Sequence, residues 1–515
     1  MKYTLFLAGM LALIPRAWSQ TKVSGTISAD ATWAKANSPY IVNGLVTVDS
    51  GVTLTIEPGV TVKFDHDQQL RIRKGILLAE GTASDSIFFT SSDASPLPGS
   101  WKGILLDSLN KPSRLRYCAL RYATRAISWP YAELRDPVTL ELLYCEFNEN
   151  EWGADLQIGK GNVLVADGNV HHNKYVGMAF GQAIRKSIRN TSFAYNNYGI
   201  SYFKGAAKTD RDSISNSSFL HNGTGIYDPV FAYIQDCKFI ANDKGTETGG
   251  YSNDAVFIRC SVDSSTGWGL RPTHDSVISC TLRDNNYALY QERSVLLDNT
   301  IERNTEGLTF VKSESGAVIR GNTFRLNKLG LGISYGATIT RNIIESNETG
   351  LEVSNLNPST ISCNKICGNT RYNAHVRSYF SQGTVILSGN YWCTADSGTI
   401  AATVQDYYDD PDIGIAGFMP VDYDKCFETT AIPGAERPAA GLSVAPNPVA
   451  DEALISGLTP GAVWGIYTLE GRLLYQATAL STQQKIQLGH WGAGMYLVRV
   501  VYPTGASAVT RLIRL

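Results

Sequence analysis

Charge is scarce in this 515-residue sequence: 18% of its residues are Asp, Glu, Lys or Arg, against about a quarter in an ordinary globular chain. The few charges nearly cancel, 45 basic against 47 acidic. No window holds the clustered Lys/Arg excess that neutralising nucleic-acid phosphates requires, which argues against a dedicated nucleic-acid binder. Long apolar runs are missing as well. No stretch approaches the roughly 20 uninterrupted apolar residues of a membrane span, so the mature chain is expected to be soluble or surface-attached. Nor does the sequence hold a nucleophile elbow, a phosphate loop, a zinc-protease helix or an EF-hand loop, so the common motif-borne chemistries have no anchor. What is abundant instead is Gly (47 residues) and Tyr (26), with much Ser, Thr and Asn, a mixture that suits strands and turns better than helices.

The two ends read as addresses. Met1 to Ser19 carries a lone Lys2, an apolar run from Thr4 to Ile14, and Ala17-Trp18-Ser19 before Gln20. That run is too short to span a bilayer and reads as a secretory signal peptide cut after Ser19. At the other end, Phe427 to Gly441 is rich in Pro, Gly and Ala and reads as a linker. Residues 442–515 then alternate in short, Gly-punctuated strands, the pattern of a small Ig-like β-sandwich. Within them stand Ala445-Pro446-Asn447-Pro448, then Ile466-Tyr467-Thr468-Leu469-Glu470-Gly471-Arg472, then Gly494-Met495-Tyr496-Leu497-Val498-Arg499-Val500, and a final Arg511-Leu512-Ile513-Arg514-Leu515. These phrases, in this order, resemble the C-terminal sorting domain of type IX secretion substrates. The resemblance implies a Gram-negative bacterium of the Bacteroidota and export across both membranes to a secreted or surface-attached state. The type IX machinery and its sortase would then be partners.

Length alone would suggest about three domains, but the middle of the chain repeats. An apolar residue is followed three positions later by Asn at Phe147/Asn150, Val170/Asn173, Phe193/Asn196, Phe219/Asn222 and Phe239/Asn242. The series continues through Val262/Ser265, Leu282/Asn285, Ile301/Asn304, Phe324/Asn327, Ile344/Asn347 and Ile366/Asn369. Steps of 19 to 26 residues, near 22 on average, are too short for paired-helix repeats and match the coils of a β-solenoid. Asn in one column can hydrogen-bond up and down the stack while tolerating a left-handed backbone at the turn. Gly199, Gly225, Gly245, Gly307, Gly330 and Gly350, each three after its rung, are expected to supply positive φ at the next corner. With Trp33, Pro39-Tyr40-Ile41-Val42, the run Leu54 to Phe64, Trp101-Lys102-Gly103-Ile104 and a closing Gly389-Asn390-Tyr391-Trp392, the pattern resembles secreted right-handed parallel β-helix proteins over about residues 20–426. That fold hosts lyases, hydrolases, epimerases and adhesins, so the resemblance by itself chooses no activity.

The nine cysteines test this reading. Cys118, Cys145, Cys237, Cys260 and Cys280 sit two residues before the apolar member of their coils, a place held later by Asn299, Asn322, Asn342 and Asn364. One inward column of small thiols and amides is therefore expected, with disulfides among Cys363, Cys367, Cys393 and Cys426 as the alternative use. Cys363 to Cys367 lacks the second pair and the His spacing of a zinc site.

With no motif to follow, the candidate site comes from geometry. Outward positions of the coils that begin near residues 226, 270 and 289 put Tyr227, Asp228, Arg271, His274, Tyr290 and Glu292 on one patch, where Tyr rings can stack on sugar faces and Arg can pair with a uronate carboxylate. Asp228 and Glu292 are about three coils apart, roughly 14 Å, too wide for the paired carboxylates of a glycosidase. A lyase would need a carboxylate neutraliser and a base, for which Arg271 with His274 or Tyr290 are the candidates. The reading is a non-catalytic surface protein that binds glycans or partner surfaces; the alternative is a polysaccharide lyase or glycoside hydrolase acting on an acidic polysaccharide. A groove with convergent Arg, His, Tyr or paired carboxylates would favour the second. No cofactor is required; His171-His172 reads as turn polarity, and Asp409-Asp410-Pro411-Asp412 is the one segment that could hold Ca²⁺.

Overall fold

A computed structural model describes residues 20–421 and 442–514, apart from 108, 110, 131–137, 158–160, 182–183, 204–211, 249–253, 292, 311–315, 335, 355–358, 378–382, 468–472, 493 and 503–506. The expected signal peptide, the 427–441 linker, Glu292 and Cys426 lie outside the described residues. The chain divides into two units, residues 1–422 and 423–515.

The first unit is a parallel β-solenoid of about 14 turns. A typical coil contributes three short strands, each paired in parallel with its equivalents in the coils before and after. Glu146–Asn148 pairs with Asn169–His171, which pairs with Ser192–Ala194. A second face runs through Thr139–Leu143, Gly161–Ala166 and Ile184–Arg189, and a third through Trp152–Leu156, Val176–Gly181 and Tyr198–Phe203. Because strand side chains alternate, each face sends Ile, Leu, Val and Phe inward, and Phe193, Phe219 and Phe239 stack down the axis at 5.2 and 4.8 Å.

The Asn column is a hydrogen-bonded ladder. The Asn196 amide donates to Val170 O at 3.0 Å and to the Oδ1 of Asn222 at 3.1 Å, while that same Oδ1 accepts the Asn196 backbone N–H at 3.0 Å. The arrangement repeats from Asn150 to Asn347 except at Ser265, whose N–H donates to Asn285 Oδ1 but whose buried Oγ has no hydrogen-bond partner among the described residues, and these rungs are 0 to 3% exposed. Two expectations need correction here. The left-handed residue is not the Asn but the one before it, as at His172, Tyr195, His221 and Arg303, with φ between 51° and 55°; that turn is what swings the next side chain inward. The glycines three places later do not have positive φ. They are required because a Cβ at Gly199 or Gly225 would lie 2.6 Å from the carbonyl oxygen of the equivalent glycine one coil on.

The cysteine column is a second ladder at another corner. Cys118, Cys145, Cys237, Cys260 and Cys280 are free thiols no more than 2% exposed. Cys260 Sγ donates to Ile234 O, its own N–H donates to Cys280 Sγ at 3.3 Å, and the Cys280 N–H donates to Asn299 Oδ1 at 2.8 Å. Thiol, hydroxyl (Thr191 N–H to Ser217 Oγ) and amide thus serve the same task. Burial pushes the Cys118 and Cys280 thiols well above their ordinary range and keeps them protonated. The disulfide reading applies only near the far end, where Cys367 bonds Cys393 and Cys363 is also disulfide-bonded.

Outside, ion pairs bridge successive coils. Glu146 accepts from His171 Nε2 across 3.0 Å and pairs with Arg121 at 2.6 Å; the His171 bond, then Arg121, bring its carboxyl down to about 2.

The second unit has a three-stranded antiparallel sheet, Ser443–Ala445, Glu452–Ser456 and Gln483–Gln487, and a four-stranded one, Leu473–Thr478, Val463–Tyr467, Gly494–Val501 and Ser507–Arg514. Ile455, Trp464, Ile466, Val498 and Leu512 share its core, as in a small sandwich. Asn447 of the Ala-Pro-Asn-Pro phrase donates to Arg511 O at 2.8 Å and accepts the Ile513 N–H at 2.9 Å, which ties the first and last recognised phrases together.

If the rungs act as acceptors for corner N–H groups, Cys280→Ser should stay close to wild type in thermal unfolding while Cys280→Ala and Asn304→Ala each lose ~1–3 kcal/mol per orphaned donor. Amide exchange at Cys260 and Asn285 should accelerate in the alanine variants alone. Glu146 is held below its usual value of 4.5, so its contribution is complete above that pH and lost as pH falls through about 2. Glu146→Gln should therefore flatten the acid side of the melting-temperature profile in that window and leave the profile above it parallel to wild type.

Candidate functional site

The third face carries an outward row of rings and cations. Thr224–Tyr227 pairs with Lys244–Glu247, which sets Tyr227 beside Glu247, and Trp268–Leu270 pairs with Tyr287–Gln291, which sets Trp268 beside Tyr287. Strand alternation turns Arg271 and Tyr290 away from the core that Leu270 and Leu289 enter, and Trp268 and Tyr287, paired with each other at the starts of the same strands, are part-exposed. Trp268 is locked by its Nε1 donating to Thr246 O at 2.8 Å. Its ring stacks on Tyr290 with centroids 5.6 Å apart and planes 15° from parallel. The Arg271 guanidinium lies 5.5 Å from both ring centroids, and Lys244 Nζ lies 4.6 Å from Trp268. Lys244 is paired with Glu247 at 2.8 Å, whereas Arg271 has no carboxylate partner among the described residues.

The six sequence-derived candidates separate. Arg271 and Tyr290 are in this shelf. Tyr227 is two coils away, against Tyr198 at 5.5 Å, and its phenol is raised by burial and by Asp228 and Glu247. Asp228 is a correction: it occupies the corner just past its strand, with φ 56° and 1% exposure, so it does not face outward with the others. His274 is likewise at a left-handed corner, half-buried, its Nδ1 enclosed without a hydrogen-bond partner among the described residues. Beside it Asp275 accepts the N–H groups of Ala255 and Thr273, and burial pushes its carboxyl well above the usual range. Glu292 is outside the described residues.

Sequence reasoning missed Trp268, Lys244 and Tyr287, because each stands before the strand glycine or its equivalent and only the positions after it were read outward. It also missed a groove of 270 Å³ further along the same face, lined by Glu348, Glu352, Arg371, Tyr372, His375 and Arg377 among others. Glu352 Oε2 is 3.4 Å from His375 Nδ1 and Oε1 is 3.3 Å from Arg377; Glu348 is 3.7 Å from Arg371, whose guanidinium lies 5.1 Å over Tyr372. Register explains the convergence, since Thr349 pairs with Tyr372 and Glu352 with His375. The coil after Asn369 has Asn373 where earlier coils have glycine, which hid its strand start from the repeat pattern.

Metal chemistry finds little support in the donor set. Among the described residues no group of three or more His, Cys, Asp and Glu side chains could hold an ion. The internal thiols donate to backbone carbonyls, and His171 is engaged by Glu146 and His172. In the acidic turn that could hold Ca²⁺, Asp409 Oδ2 accepts the N–H of Asp406 and Asp410 Oδ1 that of Asp412, and beside it Asp406 accepts the N–H groups of Tyr408 and Ala416.

Three families match parts of the chain: pectate-lyase-like β-helix domain at residues 25–110, periplasmic copper-binding protein (NosD) at 232–397, and secretion system C-terminal sorting domain at 443–513. Among the described residues no group of His, Cys, Asp and Glu side chains matches the copper named in the second description. Protein bark beetle of Drosophila melanogaster is 39% identical over 67 residues, 13% of this chain and 2% of that protein. Among solved structures, PorZ, a surface component of the type IX secretion system of Porphyromonas gingivalis, is 29% identical over 16% of this chain and 12% of its own, with a TM-score of 0.14. The periplasmic alginate epimerase AlgG is 11% identical over 74% of this chain and 77% of its own (TM-score 0.22). The tailspike gp49 of Acinetobacter baumannii bacteriophage Fri1, a capsular polysaccharide depolymerase, is 10% identical over 91% and 73% (TM-score 0.20). The coil ladders and the tail matched at 443–513 agree on one description: the chain is a parallel β-helix repeat protein with a type IX C-terminal sorting domain, secreted or attached to the outer surface of a member of the Bacteroidota.

Proposed function

We propose that residues 1–19 direct export and are removed, that residues 442–515 are read by the type IX machinery and its sortase, and that the β-helix acts at the cell surface as a non-catalytic binder of acidic polysaccharide. The observation that carries the binding role is the Trp268–Tyr290 stack with Arg271 beside it. Flat aromatic faces suit the C–H faces of pyranose rings, and a guanidinium with no carboxylate partner among the described residues suits a uronate carboxylate, with which it can form paired hydrogen bonds. The charged groups of the groove, by contrast, have each other as neighbours, Glu352 with His375 and Arg377, and Glu348 with Arg371.

That groove nevertheless favours a second reading, a polysaccharide lyase, because it gathers guanidinium groups to neutralise a uronate and an imidazole to take a proton. One set of measurements separates the two. Calorimetric titration with a polyuronate and with a neutral glucan should show Arg271→Ala weakening only the polyuronate, by about 10- to 100-fold, and Trp268→Ala weakening both. Unchanged affinities in both variants would sink the binding proposal. Appearance of ultraviolet-absorbing unsaturated product from a polyuronate, abolished by His375→Ala, would replace it with the lyase.

A further inference from the structure

One inward column of the second face contains a lysine. Strand register aligns Leu140, Val163 and Lys186 in successive coils, and the next coil sets Asp212 in line with Lys186, since Ser187 pairs with Ser213. Both side chains are 0% exposed, and Lys186 Nζ lies 2.8 Å from Asp212 Oδ2. Phe180 and Tyr202 cover the amine, with ring centroids 5.7 and 4.7 Å away, and Ile188 and Ile214 next to it are fully buried. Lys186 Nζ also donates to Gly181 O at 3.1 Å. Asp212 does the ordinary work of its column through its other oxygen, Oδ1, which accepts the Lys186 backbone N–H at 2.9 Å, as Asp275 does for Ala255. Elsewhere in the described part of this column the receiving residue is Leu77, Ala255 or Ala337, so an amine is not needed for the rung.

An ionised pair in such a place has lost its hydration. The arrangement also holds three elements of an acyl-transfer site: nucleophile and electrophile fixed side by side, a backbone N–H on the oxygen that would carry negative charge, and exclusion of bulk water. Tyr202 adds a hydroxyl that is buried and lacks a hydrogen-bond partner among the described residues. Burial and the neighbouring Asp212 keep that phenol protonated, so it is available to relay a proton.

We propose that Lys186 and Asp212 condense to an intramolecular isopeptide bond, a covalent staple between adjacent coils. The proton on Lys186 Nζ moves to Asp212 Oδ2; the amine lone pair then attacks Cγ, with Oδ1 held by the Lys186 N–H. The Nζ–Cγ bond forms and the Cγ–Oδ2 bond breaks. Oδ2 leaves as water with two of the three ammonium protons, and the third remains on the amide nitrogen. Nothing is oxidised or reduced, and no co-reactant is needed. The product replaces two buried charges with one neutral amide and joins chain segments 26 residues apart. A protein exported beyond the cell's chaperones gains resistance to coil unfolding and proteolysis from such a tether.

The test is a peptide map of the full-length protein as purified. Trypsin does not cut after an acylated lysine, so residues 186–189 should be recovered joined to residues 212–238, lighter than the sum of the two peptides by one water. Asp212→Asn should yield the same branched peptide through release of ammonia, and Lys186→Met should yield none. Recovery of residues 212–238 as a free peptide at full mass from the wild-type protein, together with cleavage after Lys186, overturns the proposal without reliance on any variant's folding.

Discussion

At each corner of the coil the backbone leaves the strand ladder, and an inward-facing residue presents an N–H that no carbonyl of the next coil can reach. A buried donor of this kind has to find an acceptor, because leaving it empty costs about as much as several well-made hydrogen bonds contribute. All three corners draw on the same solution, an acceptor on the side chain of the residue one coil further on, with Ser265 as a rung whose Oγ makes no such bond among the described residues. At one corner it is the Asn150–Asn347 ladder, at another Thr, Ser, Cys and then Asn, and at the third Ser113, Asp212, Asp275 and Ser359. Each coil is thus satisfied only by its successor, which makes the stack quasi-one-dimensional and cooperative between neighbours.

That constraint also accounts for the composition. Polar residues that would elsewhere be charged surface are used inside as small acceptors, and the remaining charges mostly pair across coils, as Arg259 with Asp236 and Arg283 with Asp263. The close approach of coils demands glycine where one strand start abuts the next carbonyl. Outward positions are released from all of this, and there the chain sets Arg271 and Tyr290 against Trp268.

The recurrence of Asn at nearly even steps made the solenoid, its inward column and the cysteine column legible before any coordinates, because a stacked repeat must reuse the same residue type at the same place. The positions just around each corner were not legible. Asp228 read outward together with Tyr227, yet it is the left-handed corner residue just past the strand, on the inward side of an outward Tyr227, and is buried. The groove at Glu352 and His375 was hidden for a similar reason: the coil that completes it starts with Asn373 instead of glycine, so the pattern lost its marker where the chemistry converges.

Sequence by itself determined that this is an exported, coil-stacked β protein with a sorting tail, since periodicity, end signals and ordered phrases are local or repetitive properties of the chain. Only the tertiary structure decided which residues meet. Register between coils separated by 19 to 26 residues joins Trp268 to Tyr290, Glu352 to His375 and Lys186 to Asp212, and a shift of a single residue at any turn would have moved each of those side chains to the opposite side of the wall.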